Sequence, residues 1–485
     1  MARTANPNRI SKVDITDDTL TGRGGMSLFG RYLISVSILS LLGDSFGRIR
    51  KSAKGLAVCK LFQQVFCFLF DGTSRHLQYF DELSQDKGYA AVIETDPKDM
   101  ASSHTVKRFF GAFGIWCLPV FRKILIILFA WRLRIEKPRE VRLTLDTMVM
   151  DNDEAQKRHG VEPTYKKKKG FQPLQMIWNR KIVDAVFRGG KKHGNHGETA
   201  VHMLRRVVSV IRNACGQTVF IVVRLDSGFF DEQILKALDE LNVAFIVSGK
   251  MYQSIKEYVS TRSRQDWGVY ANDQQCWEFT EFGWRCDSWK QFYRTFYTRP
   301  VYEQGQGLLE FARPDNVILT NLGVNPALLK ACSEQQAYWL APETIIGCHH
   351  ERGADELPHR GLKDFGFEQL PFKRFHANCA FYYCMVIAFF LFETFKEDVL
   401  SEVISVTSYA TTVRRKVVDV AAKIVKTSHG IILKVTRVVM EAFKFTKLWD
   451  LSNAAPAIPP ALPGYTWPSA TSNTRCDFTS FRDLR

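Results

Sequence analysis

The chain has 485 residues, of which 46% are hydrophobic, 13% aromatic and 24% charged, a composition that excludes a largely disordered polymer and asks for about two to four modules rather than one core. Lysine and arginine number 66 against 50 aspartates and glutamates, a net charge of +16, which favours a polyanionic partner such as nucleic acid or acidic lipid. The eleven cysteines are odd in number, scattered and without a CxxC pair, which fits reduced thiols and argues against a disulfide framework or a structural zinc site.

In chain order, Met1 to Leu20 is polar and mixed in charge, without the apolar stretch of a secretory signal, so a cytoplasmic protein is expected. Residues 1–135 read as a helical N-terminal module for DNA binding or assembly, strongly apolar from Leu28 to Phe121 as in Leu56, Cys59, Phe62 and Phe66. Within it Ser102 caps a helix carrying Lys107 and Arg108. That helix is either a DNA-entering helix or an ordinary capped surface helix. The apolar runs Ile124 to Leu133, interrupted by Arg132, and Ala377 to Phe392 are shorter than the ~20 residues of a membrane span and read as buried core helices. No membrane partner is expected.

From Arg142 the period changes to two, with Leu143 and Leu145 on one side and Thr144 and Asp146 on the other, the pattern of a strand ending in an acid. Strands over Phe171 to Trp178 and Lys181 to Phe187 follow, joined by Asn179-Arg180, then an amphipathic helix over Glu198 to Asn213. Thr218 to Leu225 is a β-branched run suited to a strand buried on both faces, and it ends at Asp226. Asp231 caps a further helix, and Val243 to Ser248 gives one more strand.

This predicts an α/β fold whose order of elements, with acids on the first and fourth strands of residues 136–250, resembles the ribonuclease H-like core. Residues 251–340 shift to aromatic alternation and read as a β-rich insertion, with Trp277, Trp284 and Trp289 as core residues by default. The core resumes over 341–398, with late helices over Glu351 to Lys363 and Ala377 to Phe392. Residues 399–453 read as a basic helical C-terminal region and the Pro-rich 454–485 as a disordered tail.

The most specific spacing lies at His349, two residues, Arg352, three residues, Glu356, six residues, Lys363. Together with Leu143-Thr144-Leu145-Asp146 and Leu225-Asp226-Ser227-Gly228-Phe229-Phe230-Asp231, it resembles the Tyr-Arg-Glu-Lys signature of the insertion-sequence DDE transposases, with His349 where that family has tyrosine. The resemblance implies a cut-and-paste DNA transposase of prokaryotic mobile elements. Its metal-binding carboxylates would be Asp146, Asp226 and Glu356, with Arg352, Lys363 and His349 as further catalytic residues.

It also implies Mg2+ or Mn2+, two ions, as cofactor; terminal inverted repeats and target DNA as double-stranded partners; and a homo-oligomer, a dimer in its DNA complex. Two ions roughly 3.5 to 4 Å apart need two or three carboxylates on rigid elements, which supplies an independent chemical reason for three acids.

Pro358 requires Glu356 to sit in the first turn of its helix or before a kink. Asp355 and, further off, Glu351 rival Glu356, and the spacing to Arg352 and Lys363 favours Glu356. Lys166, Lys167, Lys168 and Lys169 form a loop that is either simply solvated or a grip on backbone phosphates. Cys348, His349 and His350 lack a second ligand pair at a zinc spacing, and His193 and His196 read as loop residues. Alternative functions are a ribonuclease H-like nuclease that does not transpose and an inactive DNA-binding or repressor relative.

Overall fold

The structure is a computed structural model that describes residues 10, 12–49, 55–192, 194–273, 275–301, 315–351, 356–462 and 465–466. It is a mixed α/β fold around a nine-stranded sheet. The sheet's strands, in chain order, are β1 (Glu140–Thr147), β2 (Leu174–Trp178), β3 (Lys181–Val186), β4 (Phe220–Leu225), β5 (Ala244–Ser248), β6 (Gly268–Ala271), β7 (Cys276–Trp284), β8 (Tyr293–Pro300) and β9 (Asn316–Thr320). Across the sheet they run β6-β7-β8-β9-β5-β4-β1-β2-β3.

The centre is parallel, β1 with β4 and β4 with β5, and every other pairing is antiparallel. Parallel neighbours need a crossover, and the helices α1 (Leu118–Glu136), α2 (Thr199–Cys215) and α3 (Glu232–Glu240) pack beside them. Asn179 and Arg180 both have positive φ (44° and 65°) in the two-residue turn between β2 and β3, the left-handed geometry that suits the twist of a tight hairpin. Asp231 caps α3 by accepting from the backbone N–H groups of Gln233 and Ile234.

Strand alternation divides the sheet into two faces. Leu143, Leu145, Ile221, Val223 and Leu225 join the large core with α1, α2 and α3. Phe220, Val222, Ala244, Ile246, Phe296 and Ile318 face the other way, under Trp339 and under Ile345 and Ile346 of α4 (Pro342–His350). The segment expected as a β-rich insertion joins the central sheet: β9 pairs with β5, and β6–β9 prolong it.

Helix α5 (Glu356–Phe365) follows, then α6 (Phe375–Phe395). Of the late helix expected over Glu351 to Lys363, Glu356 to Lys363 is helical, Glu351 caps the end of α4, and the residues between lie outside the described ones. Pro358 falls in the first turn of α5, where its missing N–H has no intrahelical acceptor to lose.

Every residue of α6 from Ala377 to Phe395 is buried. Continued to Leu400, this helix is long and apolar enough to cross a membrane, but 89% of its most apolar window is buried inside the protein. It packs against α1, β3 and the N-terminal helices Met26–Ser35, Val58–Asp71 and Ser103–Gly111. Phe29 and Phe70, for example, contact Phe395.

Arg132, the charge inside the apolar α1, donates to Asp398 (2.9 Å) and Glu397 (3.2 Å). Lys181, fully buried, meets Glu397 at 2.7 Å, and Arg180 meets Glu393 at 3.1 Å. Arg414 closes two helix ends at once, donating to the Leu69 and Phe70 carbonyls in the last turn of Val58–Asp71 and to those of Asp364 and Phe365 at the end of α5. Cationic side chains suit the negative ends of helices.

Two expectations for the C-terminal part are corrected. Residues 399–453 are not all helical: Ala422–Thr427 and Gly430–Val435 form a hairpin, and Thr19–Thr21 pairs with its first strand. The first strand alternates, with Ala422 and Ile424 buried and Lys423 exposed. The tail is not disordered from its start: Ile458 is buried and its N–H donates to the Val36 carbonyl at 3.0 Å. Residues 467–485 of the expected tail lie outside the described residues.

Arg122 of α1 and Asp184 of β3 form a bidentate pair (2.9 and 2.6 Å), with Asp184 fully buried. Replacing Arg122 by Met strands that carboxylate and should cost about 3 to 5 kcal/mol, whereas Arg122→Met with Asp184→Leu should recover most of the loss. Thermal unfolding of the two variants checks this; equal destabilisation by both would contradict it.

Candidate active site

The register of β1 and β4 places Thr144 beside Arg224 and Leu145 beside Leu225. One residue further on, Asp146 and Asp226 therefore stand at the C-terminal ends of adjacent parallel strands, whose axes are about 4.8 Å apart. By the same alternation Thr144, Asp146, Arg224, Asp226, Ile246 and Ser248 share the face that α4 covers, and all but Ser248 line one cleft with Leu145, Leu225 and His349. Loops beyond the carboxyl ends of parallel strands are where open α/β sheets place their ligands.

Local hydrogen bonds orient each aspartate. Asp146 Oδ1 accepts from the Thr147 N–H at 2.6 Å, and Asp226 Oδ1 accepts from the Gly228 N–H at 2.8 Å in the tight turn Ser227–Phe229. His349, where the signature has tyrosine, is buried with Nε2 2.9 Å from Ser248 Oγ at the end of β5. Arg224 ties β4 to α4 by donating to the Cys348 carbonyl at 3.0 Å. His350 turns the other way and stacks on Trp277 of β7, ring centroids 4.3 Å apart, so the prolonged sheet braces the helix that carries His349. Trp284 and Trp289 pack against Phe230 instead.

Helix α5 reaches the site from the other side. His359, three residues after Glu356, is buried with Nδ1 3.6 Å from Asp146 Oδ2. Burial first, then the charges of Lys363 and Lys166, push its pKa down from the ordinary 6.5 to about 4, so the ring is neutral. Lys363 is exposed and pairs with Glu368.

Of the tetralysine loop, the charge of Lys166 is felt at His359. Lys168 pairs with Asp151 and Asp153 and Lys169 donates to Gln156, while Lys166 and Lys167 are exposed. Glu356 opens α5, and Arg352 and Asp355 lie outside the described residues, as does His193. Lys107 and Arg108 are exposed on Ser103–Gly111, and the charge of Lys107 is felt at Asp81. His196 meets Lys192 at 3.0 Å.

The sequence reading missed three residues here: His359, Arg224 and Ser248. Arg224 was visible as the one charge in an otherwise apolar strand, and His359 as a histidine one helical turn beyond a candidate acid. Ser248 carried no signal before the strand order was known.

Carboxylate oxygens are hard donors that match Mg2+ or Mn2+, so the aspartate pair fits two of the ligands such ions need. Among the described residues no three His, Cys, Asp or Glu side chains converge on one point. A cavity of about 770 Å3 lies elsewhere, between the N-terminal helices and the C-terminal hairpin near Arg31 and Trp449. It holds neither aspartate.

Acids gathered beside cations at the strand ends of a mixed sheet are the equipment of metal-dependent phosphoryl-transfer enzymes. The chain belongs to the family described as transposase DDE domain group 1, whose model matches residues 7–455. It is a DNA transposase, an enzyme that cleaves and transfers DNA strands. Enzymes of this family use divalent metal ions and associate with DNA. The chain is similar to the piggyBac transposase seen by cryo-EM in a synaptic complex with hairpin DNA, at 13% identity and a TM-score of 0.44 over 80% of this chain and 78% of that one. No curated protein matches the sequence significantly.

The depressed His359 has a consequence for the metal-free protein. Its unfolded pKa exceeds its folded one, so the unfolded state binds more protons between them and stability falls as pH drops from 6.5 towards 4, by about 3 kcal/mol in full. His359→Asn should flatten this part of the pH dependence in denaturant titrations, and an unchanged slope would contradict it.

Proposed function

We propose that this transposase cleaves and joins DNA at the terminal inverted repeats of a prokaryotic insertion sequence, using a ribonuclease H-like core in which Asp146, Asp226 and Glu356 hold two divalent ions, Mg2+ or Mn2+. The observation that carries the reading is the pairing of Asp146 with Asp226 at the ends of adjacent parallel strands. The order β3-β2-β1-β4-β5 within the sheet, with acids on the first and fourth strands, supports the ribonuclease H-like assignment. The position of Glu356 at the start of α5, the helix that brings His359 to Asp146, supports its role as third acid.

Such ions, when bound, activate an attacking water or DNA 3′ hydroxyl and stabilise the leaving oxygen of an in-line displacement. The chain's part is to fix the geometry. Asp146 and Asp226 present their oxygens from strand ends that cannot shift without breaking the parallel ladder. His349, held by Ser248, and the cations Arg352 and Lys363 hold phosphates beside the acids. Lys166 and Lys167 extend the grip along the backbone, and Lys107 and Arg108 add a second basic surface in the N-terminal helices of residues 1–135. Two copies of the chain act together on a pair of DNA ends in the cytoplasm.

Mg2+-dependent cleavage of a supercoiled plasmid carrying the element's own ends tests the assignment. Asp146→Asn, Asp226→Asn and Glu356→Gln should each abolish nicking and joining while leaving DNA binding intact. Cleavage that survives in the Glu356 variant but is lost in Asp355→Asn would move the third ligand, and cleavage that survives in both aspartate variants would refute the site.

The lysine loop gives a separate expectation. Lys166→Ala with Lys167→Ala should weaken binding about equally for all DNA sequences and flatten the dependence of log affinity on log salt by about 0.9 per lost phosphate contact. Fluorescence anisotropy at several salt concentrations measures it; an unaltered slope would assign the loop to solvent alone.

A further inference from the structure

We propose that His359 is a positioning residue for the metal site: its Nδ1–H steers the Asp146 carboxylate and, through the same contact, docks α5 against the end of β1. The inference rests on the reading of Asp146 as a metal ligand.

Three observations carry it. The ring is buried, so its contacts are set by the protein rather than by water. Its Nδ1 faces Asp146 Oδ2 at 3.6 Å, slightly beyond hydrogen-bond range, while Oδ1 of the same carboxylate is taken by the Thr147 N–H at 2.6 Å. Its Nε2 is buried without a hydrogen-bond partner among the described residues, which leaves Nδ1 as the ring's one polar engagement.

The tautomer of an imidazole follows its partner. A nitrogen that faces a carboxylate oxygen carries the proton, because two lone pairs in that position would repel. With a backbone donor on Oδ1, an imidazole N–H facing Oδ2 favours one orientation of the carboxylate plane. Ligating carboxylates are commonly held in this way, and loss of the partner typically lowers metal affinity about 10- to 100-fold.

The placement on α5 adds a second consequence. Glu356 opens that helix one turn before His359. The contact that orients one proposed acid therefore also sets where the helix of another lies, so the two cannot drift independently.

Mn2+ binding to the full-length protein without DNA, followed by electron paramagnetic resonance of the free ion, tests this. His359→Phe should raise the dissociation constant for Mn2+ about 10- to 100-fold. Its plasmid cleavage should be restored at high Mn2+, a metal requirement shifted rather than a lost turnover.

His359→Asn places an amide N–H where Nδ1 lies and should return the affinity to within a few-fold of wild type. His359→Gln places its amide where Nε2 lies and should not. This contrast stands even if the Phe variant fails to fold. Equal Mn2+ affinity in wild type and the Phe variant, or rescue by Gln and not by Asn, would overturn the inference. Asp146→Asn separates the levels: undiminished Mn2+ binding and cleavage in that variant would sink the metal-site reading itself, and the role of His359 with it.

Discussion

The parallel pairing of β1 with β4 sets the spacing between Asp146 and Asp226, and the rest of the fold is arranged to make that pairing possible. Antiparallel neighbours joined by tight turns would put the end of one strand beside the start of the next. Two acids can stand at the same end only if the chain returns to its starting edge between them. Here β2, β3 and α2 make that return. The two strands are then locked over six consecutive residue pairs, from Glu140 and Phe220 to Leu145 and Leu225, and a one-residue slip would carry one acid to the opposite face.

Late parts of the chain come to this fixed pair and are held there by a few polar contacts. Arg224 fastens the end of α4, Ser248 holds His349, and His359 meets Asp146 from α5. Arg414 closes the far end of α5. The strands β6–β9 prolong the sheet until Trp277 can press on His350. A segment that looks inserted in sequence thereby supports the helix next to the cleft.

Much of this was legible in the chain because it is local. The Asn179-Arg180 turn, the Asp231 cap, the serine cap at Ser102 and the alternation that ends at Asp146 each depend on neighbours within a few residues. What escaped depends on partners far away. The hairpin Ala422–Thr427 and Gly430–Val435 looked like a basic helix because its lysines recur often, and its pairing with Thr19–Thr21 spans about four hundred residues. The joining of β9 to β5 turns an expected separate β unit into a continuation of the main sheet. For the site, the sequence singled out the two aspartates and His349, and these line one cleft. His359 went unnoticed, since its place one turn beyond Glu356 does not point to Asp146 until the strand it faces is known.

The buried helix α6 has a consequence for the order in which the molecule can be assembled. Its partners include Met26–Ser35, Val58–Asp71 and α1, all complete by residue 136, yet α6 itself ends at Phe395. At about 5 to 20 residues per second, translation needs on the order of 10 to 50 s to bridge that interval, during which the apolar faces of the early helices have no final cover. The native core therefore closes only after α6 has been made, and until then the early helices have only transient contacts among themselves. A polypeptide cut short before α6 would be a hazard to its cell rather than a smaller enzyme.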